Sequence, residues 1–247
     1  MRPNGALRIF AYNWPIFVGT WSAALIGLFA LNWVRAPFSW LILVAVGSSL
    51  SWSVLSLLVS TYIYDRSALT SGRWVKALLG DEVRTWASVH AGLDAEVQLS
   101  DVLSGRCLAR LDIFDRQVMT SPSILRARAL TAPSHSVTSC TPSALALEDR
   151  SCDALIIAFT AHEIRDRATR EAFFGELRRV LRPGGRALLV EHLRDLPNFL
   201  AFGPGCLHFL GRAEWLRLAA RAELAVASET RVTPFIMALA LEKSPCC

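Results

Sequence analysis

The chain has 247 residues, 53% of them hydrophobic and only 19% charged, with a mean hydropathy of +0.36. That balance excludes a disordered or low-complexity chain and is too apolar for an ordinary soluble protein. All 21 acidic residues lie at or beyond Asp65, whereas residues 1–64 carry only Arg2, Arg8 and Arg35. The formal net charge of +5 is therefore no nucleic-acid footprint, because most of the surplus sits on an N-terminal stretch without acids.

Residues 9–34 and 36–64 are two uncharged runs broken only by Arg35. About 20 apolar helical residues cross a bilayer core, so each run suffices for one tilted span. A cleaved signal peptide would have a shorter apolar core and no second run directly behind it. The short connection predicts an antiparallel hairpin over residues 1–64. Arg2 and Arg8 before it, with Arg66, Arg73 and Lys76 after it, place both ends and the domain over 65–247 in the cytoplasm. Only two lysines stand against 24 arginines, a composition typical of a GC-rich bacterial genome, so the expected location is a bacterial inner membrane. Gly19, Ala23 and Gly27, and likewise Ser49, Ser53, Ser56 and Ser60, recur on one helix face. They are candidates for close packing and for hydroxyl bonds across the hairpin. The cysteines show no zinc or redox spacing, and no metal-ligand set is visible. Cys246-Cys247 carries no prenylation pattern.

Beyond Asp65, helix-like and strand-like segments alternate without repeats. Residues 67–79 read as a helix, 85–91 as a strand running into Gly92-Leu93-Asp94, and 94–103 as a weak helix. A second strand over 107–114 is closed by Asp115. A helix over 121–130 has Pro122 at its tolerant first position, and a short strand is expected over 136–140. Residues 153–160 (Asp-Ala-Leu-Ile-Ile-Ala-Phe-Thr) form a continuous apolar run, the pattern of a strand buried on both faces. The helix over 167–181 shows Phe173, Leu177, Val180 and Leu181 on one face. Arg182-Pro183-Gly184-Gly185 then turns into a strand over 186–192, completing a βαβ unit. Residues 193–211 read as irregular and 212–222 as a helix. The runs 224–230 and 235–242 read as a terminal strand pair.

The acidic approach Glu148-Asp149-Arg150-Ser151-Cys152-Asp153 and the later Arg179-Val180-Leu181-Arg182-Pro183-Gly184-Gly185 resemble the class I S-adenosylmethionine-dependent methyltransferases. The resemblance spans residues 64–243 and is concentrated between 147 and 191. It implies an α/β fold, a doubly wound, mostly parallel seven-stranded sheet ending in an antiparallel hairpin. It also implies S-adenosylmethionine as cofactor. The family's first strand leads into a glycine-rich loop, thinned here to Gly92, with Asp94 beside it. Its second strand ends in a ribose-binding carboxylate, assigned to Asp115 with Asp112 as runner-up. Its adenine-side acid is replaced by Thr141.

In such a sheet the site lies beyond the carboxyl ends of the strands, which singles out Gly92, Asp94, Asp115, Thr160, His162, Glu163 and the Glu191-His192 pair. Methyl transfer needs an in-line acceptor, and a base only where the acceptor loses a proton. His162 is the first candidate base, with Glu163 and His192 behind it. The bland alternative is a capping His162 and a Glu163 paired with Arg165 or Arg167. His208 reads as a packed or lid histidine. The apolar 193–210 segment beside a membrane hairpin implies a hydrophobic or lipid-like acceptor. A catalytically inactive, membrane-tethered binding module is the alternative. A nicotinamide reductase is set aside, since no glycine triplet follows the first strand and all three tyrosines lie in the anchor.

Overall fold

The computed structural model describes residues 5–80, 82–92, 102–130 and 137–244. The expected helix at 94–103 lies almost wholly outside the described residues, as do Asp94 and the terminal cysteines.

Two long helices, α1 (Gly5–Ala30) and α2 (Phe38–Thr61), form an antiparallel hairpin. Its open end is tied by the Asp65 carboxylate, which accepts from the Gly5 amide at 2.9 and 3.0 Å. Pro15 cannot donate to the preceding turn, and α1 is kinked at Asn13 (φ −122°, ψ 15°). Gly27 sits against Val46 and Ile42, where an added Cβ would meet methyl carbons at 3.0 and 3.4 Å, whereas Gly19 faces open space. The serines bond within their own helix rather than across the hairpin. Ser53, Ser56 and Ser60 donate to the carbonyls of Ser49, Ser53 and Ser56 at 3.0, 3.0 and 2.7 Å. Only 11% of the most apolar window of either helix is buried, so the outward faces are bare Leu, Ile, Phe and Trp.

The chain then passes through a π-turn at Tyr62–Arg66 and a 3₁₀ turn at Ala68–Ser71 into α3 (Arg73–Leu79). Seven strands follow: β1 (Thr85–His90), β2 (Arg106–Asp112), β3 (Thr138–Ser139), β4 (Cys152–Ala158), β5 (Leu181–His192), β6 (Leu224–Thr233) and β7 (Ile236–Lys243). Their order in the sheet is β3-β2-β1-β4-β5-β7-β6, parallel except at β7, as the resemblance implied. The helices α4 (Pro122–Leu130), α5 (Arg167–Val180), α6 (Leu196–Phe202) and α7 (Arg212–Arg221) complete the layers.

Alternation along the central strands divides the core in two. Leu155, Ile157, Leu189 and Leu239 face Ile124, Phe173, Phe174, Leu177 and Trp215. Ile156, Leu188, Val190 and Ala238 face Val75 and Leu78 of α3, together with Val59, Ile63 and Leu69 from the hairpin's end. Packing therefore runs without a break across position 64.

Two local expectations are corrected. The Arg182-Pro183-Gly184-Gly185 segment is a bulge inside β5, where Cys152 pairs with Leu181 but Ala154 already pairs with Arg186. Residues 193–211 are largely helical. Asp195 caps α6 by accepting from the Asn198 amide at 3.1 Å, with Pro197 in the first turn, and a 3₁₀ turn covers Gly203–His208.

Candidate active site

The carboxyl ends of β1, β2, β4 and β5 meet along one edge of the sheet. β1 delivers Gly92 with φ +82°, a conformation that favours glycine, and an added Cβ would lie 2.7 Å from Arg128 Nη1. β2 ends at Asp112, not Asp115, so Asp112 is the strand-end carboxylate. It accepts from Arg128 Nη1 at 2.8 and 3.0 Å and from the Phe114 amide at 3.1 Å. Asp115 lies three residues further on in a turn, its Oδ1 accepting from the Gln117 amide at 2.8 Å. Arg128 also donates to the Ala91 carbonyl at 3.3 Å and lies over the Phe114 ring. It thus bridges the ends of β1 and β2. Thr141, after β3, makes an isolated bridge to Ala144, and its hydroxyl lies 3.5 Å from that of Ser143.

Beyond β4 the backbone is bent hard. Phe159 has φ +52°, rare for an aromatic residue and found where a fold holds a turn against strain. The bend aims three successive amides at a single atom. Glu191 Oε1 accepts from Thr160, Ala161 and His162 N–H groups at 3.2, 2.9 and 3.3 Å. The Thr160 hydroxyl itself donates back to the Ala158 carbonyl.

Glu191 Oε2 meets His162 Nδ1 at 2.6 Å, and His162 Nε2 faces Glu163 Oε1 at 3.5 Å. The other Glu163 oxygen accepts from the Ser121 hydroxyl at 2.6 Å, while His208 Nε2 approaches Glu163 Oε1 at 3.3 Å. Burial disfavours charge on His162, but the carboxylates of Glu191 and Glu163 outweigh it and push its pKa up to about 10. Burial works against ionised Glu163 too, yet the His162 and His208 rings hold it below the usual carboxylate range. Arg165 and Arg167, which the alternative reading paired with Glu163, have other partners. Arg165 donates to the His162 and His208 carbonyls, and Arg167 pairs with Glu171.

His192 lies apart from that cluster. Its Nδ1 lies 3.0 Å from Asn198 Oδ1, and its Nε2 lies 3.0 Å from the Tyr64 hydroxyl. Asn198 Nδ2 donates to Asp195 and to the Phe235 carbonyl, which orients the amide so that Oδ1 accepts. The proton is therefore assigned to Nδ1, with Tyr64 donating to Nε2. Burial pushes the His192 pKa down to about 4, leaving a neutral ring stacked on Phe209 with centroids 4.7 Å apart.

Of the residues singled out in the sequence, His162, Glu163, Thr160 and Glu191 come together, and His192 is paired separately with Asn198 and Tyr64. Gly92 and Asp112 form a second group, Asp115 stands outside both, and Asp94 is outside the described residues. Sequence reasoning did not reach the parts played by Ser121, Arg128, Asn198, Tyr64 and His208. They lie 42 residues from Glu163, 16 from Asp112, 6 and 128 from His192, and 45 from Glu163. Local spacing carries no signal for such partners.

Residues 105–189 match the family model described as a methyltransferase domain. The match begins at Gly105, past the thinned glycine turn, and runs from β2 to β5. No curated protein matches the chain in sequence. Among solved structures, a SAM-dependent methyltransferase from Aquifex aeolicus is 18% identical with a TM-score of 0.54, covering 78% of this chain and 98% of its own. The [4+2]-cyclase SpnF is 15% identical with a TM-score of 0.51, covering 74% and 83%. A geranyl diphosphate C-methyltransferase from Streptomyces coelicolor, solved with Mg2+, geranyl diphosphate and S-adenosyl-L-homocysteine, is 13% identical with a TM-score of 0.50, covering 75% and 82%. At these identities the likeness is one of fold, and one of the three is named a cyclase, so reaction must be argued from the site. The sheet and its flanking helices have the methyltransferase α/β fold, and residues 105–189, from β2 to β5, match the methyltransferase-domain model.

Proposed function

We propose that this protein is a membrane-anchored, S-adenosylmethionine-dependent methyltransferase acting on a hydrophobic, lipid-like acceptor from the cytoplasmic side of a bacterial inner membrane. The observation that carries the reading is the Tyr64–His192 hydrogen bond. It joins the carboxyl edge of the methyltransferase sheet to the end of the apolar hairpin. Two further contacts support it. Trp52, well inside α2, donates to the Leu200 carbonyl of α6 at 3.1 Å, and Arg126 of α4 donates to the Tyr12 carbonyl of α1. α6 also exposes Leu196 and Leu200, and the 3₁₀ turn after it exposes Leu207. An acceptor dissolved in the bilayer would reach the site without crossing water.

The residues at the sheet edge fit the cofactor. Asp112 ends β2 with a carboxylate suited to two ribose hydroxyls once the Arg128 guanidinium swings off it, and Gly92 adds no side chain to the turn that Arg128 covers. Thr160, whose own groups are engaged, would form the wall beyond β4. The cofactor supplies an electrophilic methyl group; this chain positions the acceptor and manages its proton. His162, held protonated between two carboxylates, does not take that proton as it stands, and the neutral His192 could take it at Nε2 only once the Tyr64 hydroxyl swings aside. Phe209, Phe202 and Phe159 surround His192 and exclude water from it.

The test is calorimetric titration of the full chain in detergent with S-adenosylmethionine and S-adenosylhomocysteine, followed by transfer of labelled methyl to lipid-soluble acceptors. Micromolar-range binding that Asp112→Ala weakens at least tenfold supports the reading. The catalytically inactive module is the second reading, favoured by Arg128 lying across the crevice. Absence of binding in the parent chain would select it.

A further inference from the structure

We propose that His162, Glu163 and His208 form a binding site for a divalent first-row transition-metal ion of the zinc type. Three ligand atoms, one from each residue, lie within 4.8 Å of one another, and two of the three residues are buried. Two imidazoles and one carboxylate are a ligand set that leaves one coordination position open. The separations discriminate between a metal site and a plain hydrogen-bonded cluster. Charge-assisted N–H···O contacts are about 2.7–2.9 Å. Glu163 Oε1 instead stands 3.5 Å from His162 Nε2 and 3.3 Å from His208 Nε2. Ligands about 2.0–2.1 Å from a tetrahedral ion are separated by about 3.3 Å. The two Glu163–His separations match this, and the two imidazole nitrogens lie within 4.8 Å of each other.

The surroundings are those of a prepared site. The rear nitrogen of His162 meets Glu191 Oε2 at 2.6 Å, the carboxylate–histidine pairing that orients a ligand ring. Glu191 is itself fixed by three backbone amides, and the spare oxygen of Glu163 is held by Ser121. Arg165 ties the two ligand-bearing segments together through the carbonyls of His162 and His208, at 3.3 and 2.8 Å. In the metal-free chain the proton on His162 compensates the two buried carboxylates, and a dication bound at His162 Nε2 would take over that role as it displaces the proton. His208 retains 30% side-chain exposure and is the side of entry. This inference does not depend on methyl transfer.

The experiment uses the full chain in detergent, stripped by chelator and titrated with Zn2+ alone. Elemental analysis gives stoichiometry, and Co2+ substitution gives a visible spectrum. One ion per chain is expected, with a tetrahedral Co2+ spectrum. His208→Ala, at a partly exposed position that leaves the core intact, is expected to weaken binding at least 100-fold. Glu191→Gln, acting through His162, is expected to weaken it 10- to 100-fold. A chain that takes up no stoichiometric zinc overturns the proposal. So does a His208→Ala variant that binds zinc as tightly as the parent.

Discussion

Replacing Arg128 with alanine is expected to tighten cofactor binding rather than weaken it. Arg128 Nη1 lies 2.8 and 3.0 Å from the two Asp112 oxygens, with side chains 32% and 14% exposed. A ribose that uses both oxygens must first displace that guanidinium. Exposed ion pairs contribute up to about 1 kcal/mol, and hydrogen bonds to charged groups about 1.5–3 kcal/mol. For this partly buried pair we take about 1–2 kcal/mol, which corresponds to about 5- to 30-fold in affinity. The helix survives the change, since Ile124 and Ala127 remain buried and Arg126 still holds the Tyr12 carbonyl. The assay is titration of S-adenosylhomocysteine into parent and Arg128→Ala chains, with Asp112→Asn as the control that removes the acceptor charge. Affinity that stays the same or falls in Arg128→Ala would refute the idea that Arg128 competes for Asp112. A fall would make Arg128 a ligand of the cofactor instead.

Two further outcomes follow from the packing. His192 titrates near 4 in the folded protein against 6.5 for the free group, because burial disfavours its charge. The unfolded chain then binds the extra proton first, so this stability is complete above about pH 6.5 and is lost as pH falls toward 4. At pH 5 the loss is about 2 kcal/mol, and a His192→Gln chain should show a correspondingly flatter denaturation profile between pH 7 and 5. Equal slopes would remove His192 as the source. Gly185→Ala would drive its Cβ to within 2.9–3.1 Å of the Arg182, Cys152 and Asp153 carbonyls in the β5 bulge. A cost of about 1–3 kcal/mol is expected in denaturant unfolding, whereas Gly175→Ala, with open space around it, should cost nothing or stabilise.

Much of the architecture was legible in the chain itself, because it is written at short range. Two uncharged runs can only be long helices, and an unbroken apolar stretch such as β4 belongs inside a parallel sheet. The 3.6-residue spacing of Phe173, Leu177 and Val180 draws α5 against it. Where local geometry competed, the reading slipped. The Pro-Gly-Gly segment has the composition of a turn, yet the sheet absorbs it as a bulge since β4 offers carbonyls and amides on both sides of it. The 193–211 stretch looked irregular for its glycines and prolines, yet the Asp195 cap and the shelter of α2 fold it into α6.

The site was legible only as an edge. Strand ends mark where His162, Glu163 and His192 emerge, but not what each one meets. The strained Phe159 backbone converges three amides on Glu191, and this, with the carboxylate of Glu163, decides that His162 is held charged. Burial between Asn198 and Tyr64 decides that His192 is neutral. His208 joins Glu163 across 45 residues, and Arg128 rather than solvent faces Asp112. Sequence determined the elements, since backbone hydrogen bonding and apolar periodicity act between near neighbours. Tertiary structure alone decided the protonation and pairing of the polar groups, because those energies depend on distance and dielectric between residues far apart in the chain.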